Sequence, residues 1–218
     1  MSSSRPDGTM LDGNRGMFIT FEGVEGSGKT TQARLLADAL AARGLAVEVL
    51  REPGATPLGE AIRSVLLHPA SAISPRAETL LFLAARAQNV ADRIRPALNR
   101  GIHVICDRFS DSTLAYQGYA RNGDISVIRK LTDYSTGGLL PDLTILLDLD
   151  AALGLGRQGD RNRMEEESLA FHERVRLGYL HEAQREPQRV VVLDAAQPIE
   201  TLHVLILDIV EQRLAPAK

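Results

Sequence analysis

The sequence predicts an α/β fold in which five parallel strands form one sheet, with helices covering both faces in a three-layer arrangement. Short apolar runs alternate with segments of helical periodicity from Met17 to Leu214, and such alternation is typical of parallel sheets. A glycine-rich loop also separates the first apolar run from the first helical segment. In such sheets ligands bind beyond the carboxyl ends of the strands, so the loops after the five strands are the candidate site.

The first strand is predicted at residues 17–21, directly before the glycine-rich loop. The loop matches the phosphate-binding pattern G-x-x-x-x-G-K-[ST] through Gly23, Val24, Glu25, Gly26, Ser27, Gly28, Lys29 and Thr30. Glycines let successive N–H groups turn toward phosphate oxygens, and the helix that follows adds free donors and a positive dipole end. Lys29 can reach the β- and γ-phosphates, and the Thr30 hydroxyl can hold Mg²⁺. The pattern therefore predicts a nucleoside triphosphate site.

A first helix follows the loop, with Ala33, Leu36 and Leu40 at helical spacing and Gly44 as its stop signal. The next elements are predicted as a strand at 45–50, a loop at 51–54, a helix at 57–67, a long helical segment from 75 to 101 and a third strand at 102–106. Pro96 lies inside the long segment, so a kink or a break is expected there.

The second half of the chain continues the alternation. It is predicted as a helix at 110–119, a turn at 121–124, a strand at 143–149, a short helix from 151, a polar segment at 157–163, a helix at 166–186, a strand at 190–193 and a closing helix at 198–214. Asp124 is expected to cap the helix after the turn, because its carboxylate can accept hydrogen bonds from free N–H groups. His172 and His181 are interpreted as helix-surface residues without a role.

Composition indicates one globular domain, predicted at residues 17–218. The 218 residues are 44% hydrophobic and 24% charged, and a net charge of -3 gives no basis for a nucleic-acid or membrane partner. No apolar run approaches the ~20 residues of a membrane span. The single cysteine, Cys106, cannot form an internal disulfide and fits a reducing cytoplasm. Residues 1–16 are polar and are expected to form a disordered leader.

Two predicted strand ends carry residues suited to metal and phosphate chemistry. Asp107 can serve Mg²⁺, the adjacent Arg108 offers a fork of donors for phosphate, and Arg51 leaves the neighbouring strand toward the same crevice. A surface ion pair would give the same local pattern, but the nearby phosphate loop favours the functional interpretation. Glu25 would repel a nucleotide unless it serves a metal, a water or a substrate hydroxyl; an outward, solvated side chain is the alternative.

Two further groups have competing interpretations. Phe82 and Arg86 are spaced i, i+4 on one helix face, where a ring could stack on a base and a guanidinium could bond its edge. The surrounding leucines equally fit a plain hydrophobic core. Arg157, Arg161 and Arg163 lie in the polar segment between helices, where mobile arginines could close on a transferring phosphoryl group. A solvated loop would have the same sequence pattern.

Together these motifs resemble the thymidylate kinase family. The resemblance rests on FEGVEGSGKTT at 21–31, REPG at 51–54, FLAAR at 82–86, DRF at 107–109, STLAYQG at 112–118 and DAAQP at 194–198. It covers the chain from Met17 to about Leu214, and linked motifs are far more specific than the phosphate loop alone. It implies a P-loop nucleoside-monophosphate-kinase-like fold of the bacterial form. In that form a lid, here about residues 156–166, supplies the arginine that the loop lacks at Gly26.

The resemblance also implies a role for each matching position. Phe82 stacks on thymine and Arg86 bonds its edge, and the acceptor site is completed by Glu25, Arg51, Pro53, Arg108, Ser112, Thr113, Tyr116 and Gln117. The donor site comprises the glycine-rich loop through Thr31, with Ala196 and Gln197 bordering adenine. The catalytic set is Glu25, Lys29, Arg108, Arg157, Arg161 and Arg163, and the metal set is Glu25, Thr30 and Asp107.

The implied activity is transfer of the γ-phosphoryl group from ATP, with Mg²⁺, to dTMP, giving dTDP and ADP in cytoplasmic dTTP synthesis. The resemblance further implies a homodimer. Two alternatives stay open: a kinase for another nucleotide or nucleoside acceptor, and a P-loop switch or inactive ATP-binding scaffold without catalysis. The lid departs from the family in being a few residues shorter and in having Asn162 where Asp is usual, so the acting lid arginine also stays open.

Overall fold

The computed structural model describes residues 15–157 and 162–215. Its sheet comprises β1 (Phe18–Glu22), β2 (Val47–Arg51), β3 (His103–Asp107), β4 (Leu143–Asp148) and β5 (Val190–Asp194). All pairings are parallel, and the strand order is β2-β3-β1-β4-β5. The five-stranded parallel sheet predicted from the sequence is therefore confirmed.

The helices of the described residues are α1 (Lys29–Ala42), α2 (Pro57–Leu67), α3 (Pro75–Asn89), α4 (Arg95–Asn99), α5 (Ser110–Thr113), α6 (Ile125–Thr136), α7 (Ala151–Gly156), α8 (Leu169–Arg185) and α9 (Ile199–Leu214). Two π-helical segments, Val90–Ile94 and Leu114–Ala120, follow α3 and α5. Among the described residues, no helix has both the length and the apolar character needed to cross a membrane.

Helices cover both faces of the sheet, as predicted. Side chains alternate between faces along a strand, so Ile19 and Phe18 of β1 point to opposite sides. Ile19 belongs to a buried cluster with Leu36 of α1, whereas Phe18 belongs to a second cluster with Ile94 and Leu98. Each face thus buries its own apolar core, which fixes the order of the layers.

Several predicted boundaries need correction. The long helical segment is interrupted at Val90–Ile94, before Pro96, because the loss of hydrogen bonding that proline causes falls on the preceding turn. Likewise α8 begins at Leu169 rather than at 166, because the Ser168 side chain caps it by accepting from the Phe171 N–H at 3.2 Å. The prediction that Asp124 caps α6 is confirmed, since its carboxylate accepts from two backbone N–H groups of the first turn.

The first three strands each end one residue later than predicted, at the charged residues Glu22, Arg51 and Asp107. In the register of the sheet, Asp107 lies beside Phe21 on one side and beside Arg51 on the other. The carboxyl ends of β1, β2 and β3 therefore meet at one edge, which places their charged residues together.

Ordered contacts begin before Met17, where the domain was predicted to start. The Arg15 guanidinium donates to the Asp142 carboxylate at 3.0 Å, and the Gly16 N–H donates to the Leu98 carbonyl at 2.9 Å. Asp142 also accepts from the Phe18 N–H at 2.7 Å, so this stretch is joined to the sheet. The rest of the predicted leader, residues 1–14, lies outside the described residues.

Candidate active site

A cavity of about 970 Å³ opens at the carboxyl edge of the sheet. It brings together most of the predicted site residues, namely Glu25, Gly26, Gly28, Lys29, Thr30, Thr31, Arg51, Pro53, Phe82, Arg86, Asp107, Arg108, Ser112, Thr113, Tyr116, Gln117 and Arg157. Gly23, Val24 and Ser27 belong to the same loop but do not line the cavity. One cavity thus joins the glycine-rich loop to the helix that carries Phe82 and Arg86.

The glycines of the loop occupy positions that exclude side chains. A Cβ at Gly23, where φ is +142°, would lie 2.4 Å from the Leu147 carbonyl oxygen. A Cβ at Gly26, where φ is +69°, would lie 2.2 Å from the Gly154 carbonyl oxygen. The loop is therefore pressed against the end of β4 and against α7, which holds its backbone in place around the cavity.

Lys29 is buried at the base of the loop. Its Nζ donates to the Val24 carbonyl at 2.7 Å and to the Ser27 hydroxyl at 3.3 Å. Burial, followed by the positive charge of Arg108, lowers the pKa of Lys29 to about 8, even though nearby Glu25 and Asp107 favour the charged form. A phosphate oxygen in the cavity would supply the charge compensation that this lysine lacks.

Thr30 and Asp107 form a pair of oxygen ligands beside the loop. The Thr30 hydroxyl donates to the Asp107 carboxylate at 2.5 Å, and both side chains line the cavity. Mg²⁺ binds proteins through one or two such oxygens and completes its shell with water and substrate phosphates. The pair therefore fits Mg²⁺, whereas no cluster of three or more acidic, His or Cys ligands occurs among the described residues.

Arg108 connects the glycine-rich loop, through Glu25, with α8, through Tyr179. It lies at φ +71°, and its Nη2 donates to Glu25 at 2.7 Å while its Nη1 donates to Tyr179 Oη at 2.9 Å. Burial alone would raise the pKa of Glu25, but Arg108, Lys29 and the Tyr116 hydroxyl outweigh it and lower that pKa to about 2. Glu25 is therefore ionised and holds the arginine in place.

Glu22, the last residue of β1, is a buried carboxylate that the sequence analysis did not assign. It accepts from the Phe109 N–H at 2.7 Å, from the Ser112 hydroxyl at 2.6 Å and from the Tyr179 hydroxyl at 3.0 Å. Burial, reinforced by the negative charge of Asp111, raises the pKa of Glu22 to about 7. The sequence did contain an indication of this carboxylate, because Glu22 is the charged last residue of an otherwise apolar strand next to the phosphate loop.

Arg86 is 2% exposed and is held on three sides. Its Nε donates to Glu52 at 2.7 Å, its Nη1 to the Thr113 hydroxyl at 2.8 Å and its Nη2 to the Phe109 carbonyl at 2.8 Å. Phe82, one turn earlier, is partly buried and packs on a small apolar cluster while lining the cavity. Both residues lie on one helix face, as their spacing predicted, and both line the cavity; the counter-ion Glu52 was not predicted from the sequence.

The end of β2 and the loop that follows it contribute Arg51 and Pro53 to the cavity lining. The Arg51 side chain is 57% exposed and pairs with Glu60 at 3.1 Å, so its guanidinium is accessible from the cavity. The Pro53 carbonyl accepts from Arg63 Nη1 at 2.9 Å. Arg63, which was not predicted from the sequence, therefore supports the loop that carries Pro53.

The predicted lid arginines differ in position. Arg157 lines the cavity and donates from Nη1 to the Gly26 carbonyl at 3.2 Å. Arg163 is not brought to the cavity, since its Nη2 pairs with Glu78 at 2.7 Å and its Nε donates to the Leu66 carbonyl at 2.7 Å. Arg161 lies outside the described residues.

Two more predictions concern residues away from the cavity. Ala196 and Gln197 form the turn after β5, where the Ala196 N–H donates to Asp194 at 2.9 Å, and neither lines the cavity. The surface position predicted for His172 is wrong, because this side chain is buried in α8 beside Phe171.

A glycine-rich phosphate loop between β1 and α1, lining a cavity at the carboxyl edge of this five-stranded parallel sheet, places the chain in the class of P-loop nucleoside monophosphate kinases. A sequence model described as "Thymidylate kinase" matches residues 21–206. The chain therefore belongs to the thymidylate kinase family.

Individual relatives agree with this assignment. The chain is 52% identical over 203 residues to a thymidylate kinase of Deinococcus radiodurans, covering 92% of this chain and 98% of that protein. It is 54% identical over 189 residues to a thymidylate kinase of Thermomicrobium roseum, covering 85% and 90% of the two chains. A crystal structure of thymidylate kinase from Ehrlichia chaffeensis matches with a TM-score of 0.75 and 37% identity, covering 90% of this chain and 99% of that one.

Proposed function

We infer that this kinase transfers the γ-phosphoryl group of ATP to dTMP, giving dTDP and ADP, and that it uses Mg²⁺. Phosphorylation of dTMP follows from membership in the family. The observation that supports the proposal is one cavity lined both by the loop that carries Lys29 and by Phe82 and Arg86 of α3. A donor and an acceptor can therefore face each other with their phosphates between them.

On the donor side, we assign the triphosphate to the loop from Gly23 to Thr31. Backbone N–H groups and the start of α1 would bind the β- and γ-phosphates. Lys29 would exchange its bonds with the Val24 carbonyl and the Ser27 hydroxyl for phosphate oxygens. Ala196 and Gln197 would border adenine, in keeping with their place after β5.

On the acceptor side, we assign the thymine ring to Phe82 and its edge to Arg86 and Gln117, with Thr113, Ser112 and Tyr116 around base and sugar. Glu25 would accept from the sugar hydroxyl. Arg51, supported by the Pro53 loop, and Arg108 would hold the acceptor phosphate, with Arg108 nearest the transferred group. These arginines neutralise the charge that otherwise keeps two phosphates apart.

In the reaction, an oxygen of the dTMP phosphate forms a bond to the γ-phosphorus as the bond to the β–γ bridging oxygen breaks, and ADP leaves. The protein contributes position and positive charge and forms no covalent intermediate. When bound, Mg²⁺ neutralises charge on the phosphate oxygens, and Thr30 and Asp107, with Glu25 in the outer shell, would hold it. Arg157, already at the Gly26 carbonyl, would close over the phosphates and exclude water, with Arg161 assigned to the same lid.

The alternatives rest on the same loop and fail on the acceptor side. A kinase for another acceptor would not require Phe82, Arg86 and Gln117 on one wall. A P-loop switch would leave Arg51 and Arg108 without a phosphate to bind.

The proposal is tested by ADP release with Mg²⁺-ATP and the acceptors dTMP, dUMP, dCMP, dGMP, AMP, UMP and thymidine. We expect strong turnover with dTMP, weaker turnover with dUMP and little with the others, because the pocket selects the thymine edge. Chelation of Mg²⁺ with EDTA should abolish turnover, and added Mg²⁺ should restore it. Turnover with dTMP no higher than the acceptor-free background would contradict the assignment.

We also propose that the enzyme is a homodimer acting in the cytoplasm. Cys106, the one cysteine, is buried and free, as in a reducing compartment. Exposed apolar side chains occur on α2, α3 and α6, which are neighbours in the fold, at Leu58, Val65, Leu80, Val127 and Tyr134. Such a surface is suited to association with a second copy.

Light scattering on a sizing column should therefore give twice the 23.7 kDa chain mass. A Leu80→Glu variant should elute as a monomer, because it places a charge in the proposed interface. A matched Leu177→Glu variant, at an exposed leucine of α8, should remain dimeric. A wild-type mass of one chain would refute the dimer.

A further inference from the structure

Glu78, in the first turn of α3, is a buried carboxylate with four donors around it. Its side chain is 1% exposed. Its Oε1 accepts from Gln117 Nε2 at 3.0 Å and from Arg121 Nε at 3.2 Å. Its Oε2 accepts from Arg121 Nη2 at 3.2 Å and from Arg163 Nη2 at 2.7 Å. Burial alone would raise its pKa, but these donors lower it, so the carboxylate is ionised.

Glu78 shares a helix face with the residues assigned to the acceptor base. Glu78, Phe82 and Arg86 are spaced i, i+4 and i+8 along α3, which places them on one side of the helix. Gln117, one of the Glu78 donors, lines the cavity. Within the described residues, Glu78 is the hydrogen-bond acceptor of the Gln117 side-chain nitrogen. The carboxylate therefore sets the orientation of a side chain in the acceptor pocket.

The same carboxylate also holds the segment that follows the lid. Arg163 is fixed a second time by its Nε at the Leu66 carbonyl, 2.7 Å away, and a third time by its N–H at the Leu67 carbonyl, 3.2 Å away. Arg121, which also donates to Glu78, pairs with Glu167 at 2.6 Å. The residues that continue from the lid into α8 are thus attached to α2 and α3 around Glu78.

We propose that Glu78 is a positioning residue that orients Gln117 in the acceptor pocket and anchors the C-terminal end of the lid through Arg163. In this proposal Arg163 anchors the end of the lid to α2 and α3. Arg157 is the lid arginine that reaches the phosphates. This inference rests on the proposed dTMP kinase function and specifies how its acceptor pocket and lid are attached to the same helix.

The two attachments predict different kinetic effects for two variants. Glu78→Gln loses the charge that holds both Gln117 and Arg163, so we expect the KM for dTMP to rise about tenfold and kcat to fall about tenfold. Arg163→Met removes the side-chain bonds to Glu78 and to the Leu66 carbonyl, so it loosens the lid alone, because Gln117 keeps its bond to Glu78. We therefore expect kcat to fall about tenfold, with the KM for dTMP within twofold of the wild type.

The deciding measurement is the double variant Glu78→Gln with Arg163→Met. If Arg163 acts through Glu78, the double variant has a kcat close to that of Glu78→Gln alone, because the charged contact of the anchor is already lost and only the bond from Arg163 to the Leu66 carbonyl remains to be removed. If Arg163 instead contacts phosphates in the closed state, the two losses of kcat multiply to about a hundredfold. Multiplication, or an unchanged KM for dTMP in Glu78→Gln, would overturn the proposal.

Two controls keep the test interpretable. Glu200→Gln changes an exposed glutamate in the first turn of α9 and should leave both constants unchanged. If Glu78→Gln does not fold, as judged by circular dichroism, the cycle is repeated with Glu78→Asp, which keeps the charge but shortens its reach. Wild-type turnover of dTMP is measured in the same series, so a failure of the proposed function is recognised separately from a failure of the cycle.

Discussion

Replacing Lys29 by Met should lower kcat by a factor of about 100 to 1000, the range measured when one charge-stabilising donor is removed from an active site. Lys29 is the buried cation of the phosphate loop, and among the described residues its Nζ donates to a carbonyl and a hydroxyl. Methionine fills similar space without the charge, so phosphates would lose their principal side-chain donor at the loop.

The same substitution should make the protein more stable at neutral pH. The pKa of Lys29 is lowered from 10.5 to about 8, a shift that corresponds to about 3 kcal/mol of destabilisation of the charged folded state. That cost is fully present below pH 8 and disappears as pH rises from 8 toward 10.5. We expect Lys29→Met to gain about 1 to 3 kcal/mol at pH 7, because the two hydrogen bonds that Nζ donates in the folded state are lost with the charge and offset part of the gain, and the gain to vanish near pH 10.5.

Urea unfolding between pH 7 and pH 10.5 and steady-state kinetics at pH 7.5 check the two parts. Lys130→Met is the matched control, since Lys130 is an exposed lysine of α6; it should change neither quantity appreciably. A variant with kcat within tenfold of the wild type would exclude a role for Lys29 at the phosphates. A variant less stable than the wild type at pH 7 would show that its hydrogen bonds outweigh its burial.

Residues that lie close together in the chain left the clearest patterns in the sequence. The phosphate loop is one continuous motif, and its glycines are required by the nearby Leu147 and Gly154 carbonyls. Likewise the i, i+4 spacing of Phe82 and Arg86 placed both on one helix face, and in the structure both side chains line the cavity; the spacing alone fitted a plain core equally well. Helix periodicity fixes relative direction along one element.

Residues that are far apart in the chain and meet only in the folded protein left no comparable pattern in the sequence. Arg86 lies 34 residues from Glu52, and Tyr179 lies 157 residues from Glu22. Nothing in the local sequence around either acid indicates which donor it meets. For the same reason Arg163 was grouped with Arg157 on composition, although tertiary contacts direct its guanidinium to Glu78.

Replacing Arg86 by Met should destabilise the fold by about 3 to 5 kcal/mol, because it leaves the Glu52 carboxylate buried without its charged partner. Both side chains of this pair are nearly inaccessible, at 2% and 4% exposure. Asn89 Nδ2, at 3.0 Å from Glu52, would retain one hydrogen bond but cannot supply a charge. Urea unfolding at pH 7.5 measures the loss. Arg43→Met, which breaks an exposed pair with Glu211, should cost less than about 1 kcal/mol.

The affinity for dTMP shows whether Arg86 only stabilises the fold or also binds the thymine base. The double variant Glu52→Leu with Arg86→Met removes both charges, so it should recover most of the lost stability. It cannot recover a hydrogen bond from Arg86 to the thymine edge, and calorimetry should still show dTMP binding weakened by about tenfold or more. If affinity returned together with stability, Arg86 would only hold the pocket wall. Persistent weak binding on a stable fold would instead place its guanidinium at the base.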